Sequence, residues 1–168
     1  YAIMAEIPCV IVNVMRGGPG LGNIAPSQGD YFQAVKGGGH GDYRLIVLAP
    51  ASVQEMYDHT ILAFHLADRY RNPAMVLADA VLGQMQEPIT ETDKVYPEVD
   101  KPWALTGAKD RPMRFIKSLY LKEGELEAHN RMLQQKYGVI EKHEIRYEEL
   151  KVDDADFVVA AFGTAARI

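Results

Sequence analysis

Four short runs along the chain are almost unbroken in apolar, largely β-branched residues: Cys9 to Val14, Arg44 to Leu48, Pro73 to Leu77 and Ala155 to Ala161. A strand with one wet face alternates apolar and polar positions and a strand covered on both faces does not, so these runs predict buried strands. Between the first three the period lengthens. Val53, Met56, Tyr57, Thr60, Ile61, Phe64, Ala67 and Tyr70 keep a spacing of three and four, with Glu55, Asp58, Asp68 and Arg69 mostly outside the stripe, which predicts an amphipathic helix. Ser52, with Glu55 three residues on, reads as its capping box, and Asn72-Pro73 marks its end. A weaker and shorter helix is predicted over Gln28 to Lys36, stopped by the glycine triplet that follows.

Strand, loop, helix, strand, helix, strand implies right-handed crossovers in a parallel sheet flanked by helices, an α/β fold. Ligands of such sheets bind at the carboxyl ends of the strands, where Arg16, Pro50 and Asp79 fall. Both glycine-rich loops, at 17–22 and 37–41, are expected on that side. Beyond Gly83 the pattern dissolves: Pro88, Pro97, Pro102 and Pro112 recur among turn formers and charges, and Trp103 is the one tryptophan. The stretch 83–122 reads as a linker, with an arm packed on a partner or a lid as the alternatives. Glu123 to Tyr137 is predicted as a helix with Leu126, Leu133 and Tyr137 on one side. The run at 155–161 then leads into Gly163-Thr164-Ala165-Ala166-Arg167, the pattern of a first strand and a helix start. The expected division is therefore 1–82 as half of an α/β domain, 83–122 as linker, 123–154 as helix and connection, and 155–168 as the start of a second α/β domain. Because the chain opens on Tyr1 and stops inside a pattern, it reads as an internal piece of a longer polypeptide.

Composition narrows the function classes. Apolar residues make up 48% of the 168 and charged residues 24%, with no apolar stretch long enough for a membrane span and no signal-peptide layout, so a cytoplasmic protein is expected. The net charge of −5 is spread without a Lys/Arg block, which argues against a nucleic acid as partner. Cys9 is the only cysteine, so the chain holds no internal disulfide and no iron–sulfur cluster of its own. Cys9 itself reads as a small buried hydrophobe.

Candidate chemistry concentrates in the two glycine loops. Arg16 ends the first strand at the mouth of Gly17-Gly18-Pro19-Gly20-Leu21-Gly22, where glycine removes the Cβ atoms that keep backbone amides from a ligand. A cation placed there meets a carboxylate or a phosphate; the alternative is a surface ion pair with Asp30 or Asp42. His40 lies between glycines with Asp42 two residues on, free either to touch a ligand or to close a turn. Asp79 reads equally as a helix cap or a site residue. Gly20 to Ala25 fits G-x-G-x-x-A, but Pro26 falls where the phosphate-binding helix should run and no acidic residue closes a second strand, so a dinucleotide site is rejected. No P-loop, nucleophile elbow or H-E-x-x-H pair is present. His59 and His65 do not share a helix face, and His129 and His143 read as solvated.

These motifs taken in order, Cys9 to Asn23, Pro26-Ser27-Gln28, Gly37 to Asp42, Ile46 to Pro50 and Tyr70-Arg71-Asn72-Pro73 on to Leu77-Ala78-Asp79, resemble the pyrimidine-binding subunit of the 2-oxoacid:ferredoxin oxidoreductases. Gly-Gly-Pro-Gly-Leu-Gly with His-Gly-Asp-Tyr is most similar to the branched-chain (3-methyl-2-oxobutanoate) enzymes, whereas 2-oxoglutarate relatives usually carry Ser-Thr where Gly20-Leu21 stand. The resemblance implies the second half of a thiamine-diphosphate pyrimidine-domain fold, followed by a transketolase C-terminal-like domain. It implies oxidative decarboxylation of a 2-oxoacid to acyl-coenzyme A and carbon dioxide, with ferredoxin as electron acceptor. Arg16 would meet the substrate carboxylate, and Gly17, Gly18, Pro19, Gly20, Leu21, His40 and Asp42 would form a wall of the cofactor pocket. Thiamine diphosphate would be shared between subunits, with magnesium and [4Fe-4S] clusters on the partner subunits of a homo- or hetero-oligomer. The loop and glutamate that activate thiamine in this family lie upstream of Tyr1, so the chain alone is expected to be inactive. A 2-oxoglutarate- or pyruvate-specific member, a thiamine enzyme without ferredoxin and a non-catalytic binding module are the alternatives.

Overall fold

The computed structural model describes residues 1–168. The apolar runs become three parallel strands, β1 (Val10–Met15), β2 (Ile46–Leu48) and β3 (Ala74–Asp79), in the order β1-β3-β2. β3 is paired on both edges and all six of its residues are buried, as its unbroken apolar pattern requires. β1 departs from the expectation. Its outer edge has no partner strand, and Ile11, Val12 and Val14 remain 39%, 56% and 43% exposed.

Helices α1 (Tyr31–Lys36) and α2 (Val53–Tyr70) form the two β-to-β connections. Ser52 caps α2 by accepting from the Glu55 N–H at 3.1 Å, and the Glu55 carboxylate in turn accepts from the Ala51 N–H at 2.6 Å. Arg71 then turns left-handed (φ 47°) to end the helix. The buried Asn72 fixes that exit, donating to the carbonyls of Arg44 (3.1 Å) and Pro73 (3.0 Å). The face that α2 buries is rotated from the predicted stripe. Leu62, Ala63, Leu66, Ala67 and Tyr70 meet Ile46, Leu48, Ala74 and Val76, while Phe64 points outward at 59% exposure. The small Ala63 and Ala67 let the helix approach the sheet closely, and bulkier neighbours are left outside. The opposite sheet face packs Met15, Met75 and Leu77 against Ala34 of α1.

Helix α3 (Ala80–Gln84) follows β3, and α4 (Glu125–His143) buries Leu133 and Tyr137 against Ile3 near the amino terminus. The stretch read as a linker runs along α2 from one end to the other. The Thr90 N–H donates to the Gln54 side chain at 2.7 Å, Tyr96 stacks on His65 at 4.7 Å, Lys101 pairs with Asp68 at 2.5 Å, and Arg71 lies 4.7 Å over Trp103. These contacts join side chains without any backbone period, so no sequence pattern announces them. The expected strand at 155–161 does not form. Phe157, Val158 and Val159 are 91%, 68% and 87% exposed with no neighbouring strand to pair with, and Gly163–Arg167 forms a turn of 3-10 helix instead of an α-helix start.

Candidate functional site at the carboxyl ends of the strands

Parallel pairing sets Met15 opposite Asp79, so Arg16 and the start of α3 sit side by side at the carboxyl edge of the sheet. Arg16 pairs with Pro26 in a short antiparallel bridge, its side chain is exposed, and it takes part in no salt bridge. The alternative partner Asp30 is engaged by the Asn13 amide at 3.1 Å. A guanidinium held by its backbone and left without a carboxylate is free to take an external anion.

The loop that follows closes on itself. Asn23 N–H donates to the Gly17 carbonyl (2.8 Å), Gly17 N–H to the Ala25 carbonyl (2.8 Å), and Ala25 N–H to the Asn23 side chain (2.9 Å). A Cβ on Gly22 would overlap the Gly17 carbonyl, and one on Gly17 would overlap the Asn23 amide. Two of the glycines are therefore explained by closure of the loop base, not by approach to a ligand. The tip is different: Gly20 has nothing near its Cβ position, and Leu21 is 85% exposed.

Of the two readings of Asp79, the helix cap is the one seen, and a second use that sequence did not show joins it. Asp79 is 2% exposed, and one carboxylate oxygen caps α3 by accepting from the N–H groups of Val81 (3.0 Å) and Leu82 (3.3 Å). The other accepts from the Thr164 N–H at 3.4 Å and from the Thr164 hydroxyl. Gln28 adds a bond to the Phe162 carbonyl at 2.8 Å. Nearby, Glu87 accepts from the Val53 N–H at the start of α2 (3.0 Å) and from Arg167 (2.5 Å), and the Arg167 guanidinium foremost, then that N–H, holds its carboxyl below the usual range. The segment 162–167 is thus clipped over the carboxyl end of the sheet. Only Asp79's position at a strand end hinted at this; nothing around Thr164 did.

His40 and Asp42 are elsewhere. A loop that leaves a strand lies at its carboxyl end, but a loop that leaves the following helix to enter the next strand lies at the amino end, so topology sends 37–43 to the side away from Arg16. There they line a cavity of about 810 Å³ with Cys9, Ile11, Asn13 and Met75, bounded by the unpaired edge of β1. Burial pushes the Cys9 thiol up. Tested against the thiamine group, this wall offers an apolar face and amide groups suited to a flat heteroaromatic ring, but no Lys or Arg lines it to meet a diphosphate. No cluster of three metal-ligating side chains occurs. His129, expected to be solvated, is instead stacked on Tyr120 at 4.6 Å and bonded to the Met4 carbonyl at 2.8 Å.

Residues 1–154 match the family described as pyruvate flavodoxin/ferredoxin oxidoreductase, thiamine diphosphate-binding. The chain belongs to this family. Among curated proteins, it is 56% identical over 98% of its length to ketoisovalerate oxidoreductase subunit VorB of Methanothermobacter thermautotrophicus, of which it covers 47%. It is 50% identical over 56% of its length to 2-oxoglutarate synthase subunit KorA of Methanocaldococcus jannaschii, covering 26% of that relative. The chain thus spans about half the length of the curated relatives that it matches throughout. In structure it is similar to the 2-oxoglutarate:ferredoxin oxidoreductase of Magnetococcus marinus solved with 2-oxoglutarate, coenzyme A and succinyl-CoA bound, with a TM-score of 0.67 and 25% identity over 92% of this chain and 32% of that one. No helix is long and apolar enough to cross a membrane.

Proposed function

We propose that this chain contributes the substrate-carboxylate wall of a 2-oxoacid:ferredoxin oxidoreductase acting on branched-chain 2-oxoacids, producing acyl-coenzyme A and carbon dioxide and reducing ferredoxin. The observation that carries the reading is the extent of similarity: it runs over 98% of the chain for the ketoisovalerate subunit and over 56% for the 2-oxoglutarate subunit. Arg16 supports it from the chemistry, as an unpaired cation at the carboxyl end of a parallel sheet, the end at which such folds bind ligands.

Arg16 holds the oxoacid carboxylate and so aims the neighbouring carbonyl, which is the positioning that a side chain adds to cofactor chemistry. The tip residues Gly20 and Leu21 stand where the acid's side chain would lie and set its size. Thiamine diphosphate, when bound, supplies the electron sink for carbon–carbon cleavage beside a carbonyl. Its diphosphate, magnesium and the iron–sulfur clusters are assigned to partner subunits, in keeping with the family resemblance. His40 and Asp42, at the far end of the sheet, are assigned to closing the edge cavity. The protein is placed in the cytoplasm.

Coenzyme-A-dependent ferredoxin reduction by the assembled complex, measured across a panel of 2-oxoacids, tests the reading. The expected result is the highest kcat/KM for 3-methyl-2-oxobutanoate. Preference for 2-oxoglutarate or pyruvate overturns the specificity, and absence of ferredoxin reduction overturns the reaction.

A further inference from the structure

The clip at 162–167 sits against residues that end all three strands, and two of its attachments lead to Arg16. Phe162 packs on the cluster that contains Met15, and its ring lies 5.3 Å from that of Tyr31. Gly163 is buried so closely that a Cβ placed on it would lie 3.1 Å from Gln28 Nε2 and 3.6 Å from both an Asp79 oxygen and the Pro50 carbonyl. The first attachment runs along backbone: the Gln28 amide donates to the Phe162 carbonyl at 2.8 Å, and two residues earlier Pro26 pairs with Arg16 in the antiparallel bridge. The second runs through Asp79, which accepts from the Thr164 N–H and hydroxyl and lies opposite Met15 in the sheet, one residue before Arg16.

The Arg16 guanidinium takes part in no salt bridge, so its place is set through its backbone. A forked contact to a carboxylate needs both N–H groups aimed at once, and small displacements weaken it. We propose that Gln28 and Thr164 are positioning residues for Arg16. The clip holds the bridge partner of Arg16 on one side and the strand partner of Met15 on the other, and so fixes where the guanidinium meets the 2-oxoacid carboxylate. The proposal rests on the reading of Arg16 as the carboxylate site. Both residues act through Arg16, and affinity for the acid thereby depends on a segment far along the chain.

The test is a double-mutant cycle in the assembled complex, with 3-methyl-2-oxobutanoate and 2-oxoglutarate each as substrate. T164V and Q28A each remove one side-chain hydrogen bond. Each is expected to raise KM about three- to tenfold with kcat changed less than about twofold, and T164S is expected to restore the wild-type KM. A clamp that works only through Arg16 has nothing left to place once the guanidinium is gone, so R16A/T164V is expected to match R16A. Should T164V fail to assemble, R16A/Q28A closes the same cycle. A KM raised by R16A but untouched by T164V and Q28A overturns the clamp and leaves the carboxylate reading standing, as does a T164V effect that persists in full beside R16A. A KM untouched by R16A overturns both. Hydrogen exchange reads the clamp without substrate: T164V is expected to speed exchange of the Gly17, Asn23 and Ala25 amides, which close the loop base, while β3 stays protected. Unchanged exchange at those three amides overturns the proposal.

Discussion

Arg16 matters because of what it lacks. Its neighbours Asp30 and Asp79 are already engaged, by Asn13 and by the α3 and Thr164 groups, so the guanidinium keeps its charge for a ligand. A charge-assisted bidentate contact is worth about 1.5–3 kcal/mol, so R16A is expected to raise KM for the 2-oxoacid in the assembled complex by roughly ten- to a hundredfold. R16K is expected to recover only part of this, because a lysine cannot make the forked contact. Steady-state kinetics check both, and an unchanged KM removes Arg16 from the site. In the loop base, G22A pushes a methyl group into the Gly17 carbonyl and is expected to lower stability by about 1–3 kcal/mol, read by denaturant titration. Glu87 supplies a pH signature. Its pKa lies below the usual carboxylate value, so its contribution is complete above pH of about 4.3 and is lost as the pH falls through the lowered value. E87Q is expected to flatten that part of a thermal-melt pH profile.

Among the elements, α2 carries the larger core. Leu66 is 1% exposed there, and L66A is expected to cost about 2–5 kcal/mol by chemical denaturation. The clip at 162–167 is a separate unit. T164V removes the hydroxyl donor to Asp79 while leaving the α3 cap intact, so faster hydrogen exchange is expected at 162–167 and unchanged exchange in β3. T164S is expected to restore protection. What sequence made legible follows from how far each interaction repeats. Apolar runs and the Ser52–Glu55 cap repeat or are local, and the strands and α2 could be read from them. The burial face of α2 could not be read, because that helix is apolar around much of its circumference and the sheet selected alanines over Phe64. The straps at 83–103 and 162–167 rest on single side-chain pairs separated by 31 to 134 positions, and such pairs leave no pattern. His40 was misplaced for a topological reason: a motif shows which loop is rich in glycine, and the order of strand and helix decides which end of the sheet that loop occupies.

Considered whole, the molecule is a sheet with an unfinished side. The edge of β1, the cavity beside it and the unpaired run at 155–161 are left uncovered by this chain, which spans 47% of its ketoisovalerate-subunit relative. The β1 amides that point away from β3 are expected to exchange faster than those bonded to it, and an assembly that covers this edge is expected to slow them, read by hydrogen exchange. The strand order has a consequence for the chain's birth. As strands, β1 and β2 pair only with β3, never with each other, so neither can complete its strand pairing until Asp79 has left the ribosome. At about 5–20 residues per second, β1 waits several seconds without a strand partner. Nascent-chain chaperones thus have a window that closes with the emergence of one strand, and a pause in translation placed just before Ala74 would lengthen it.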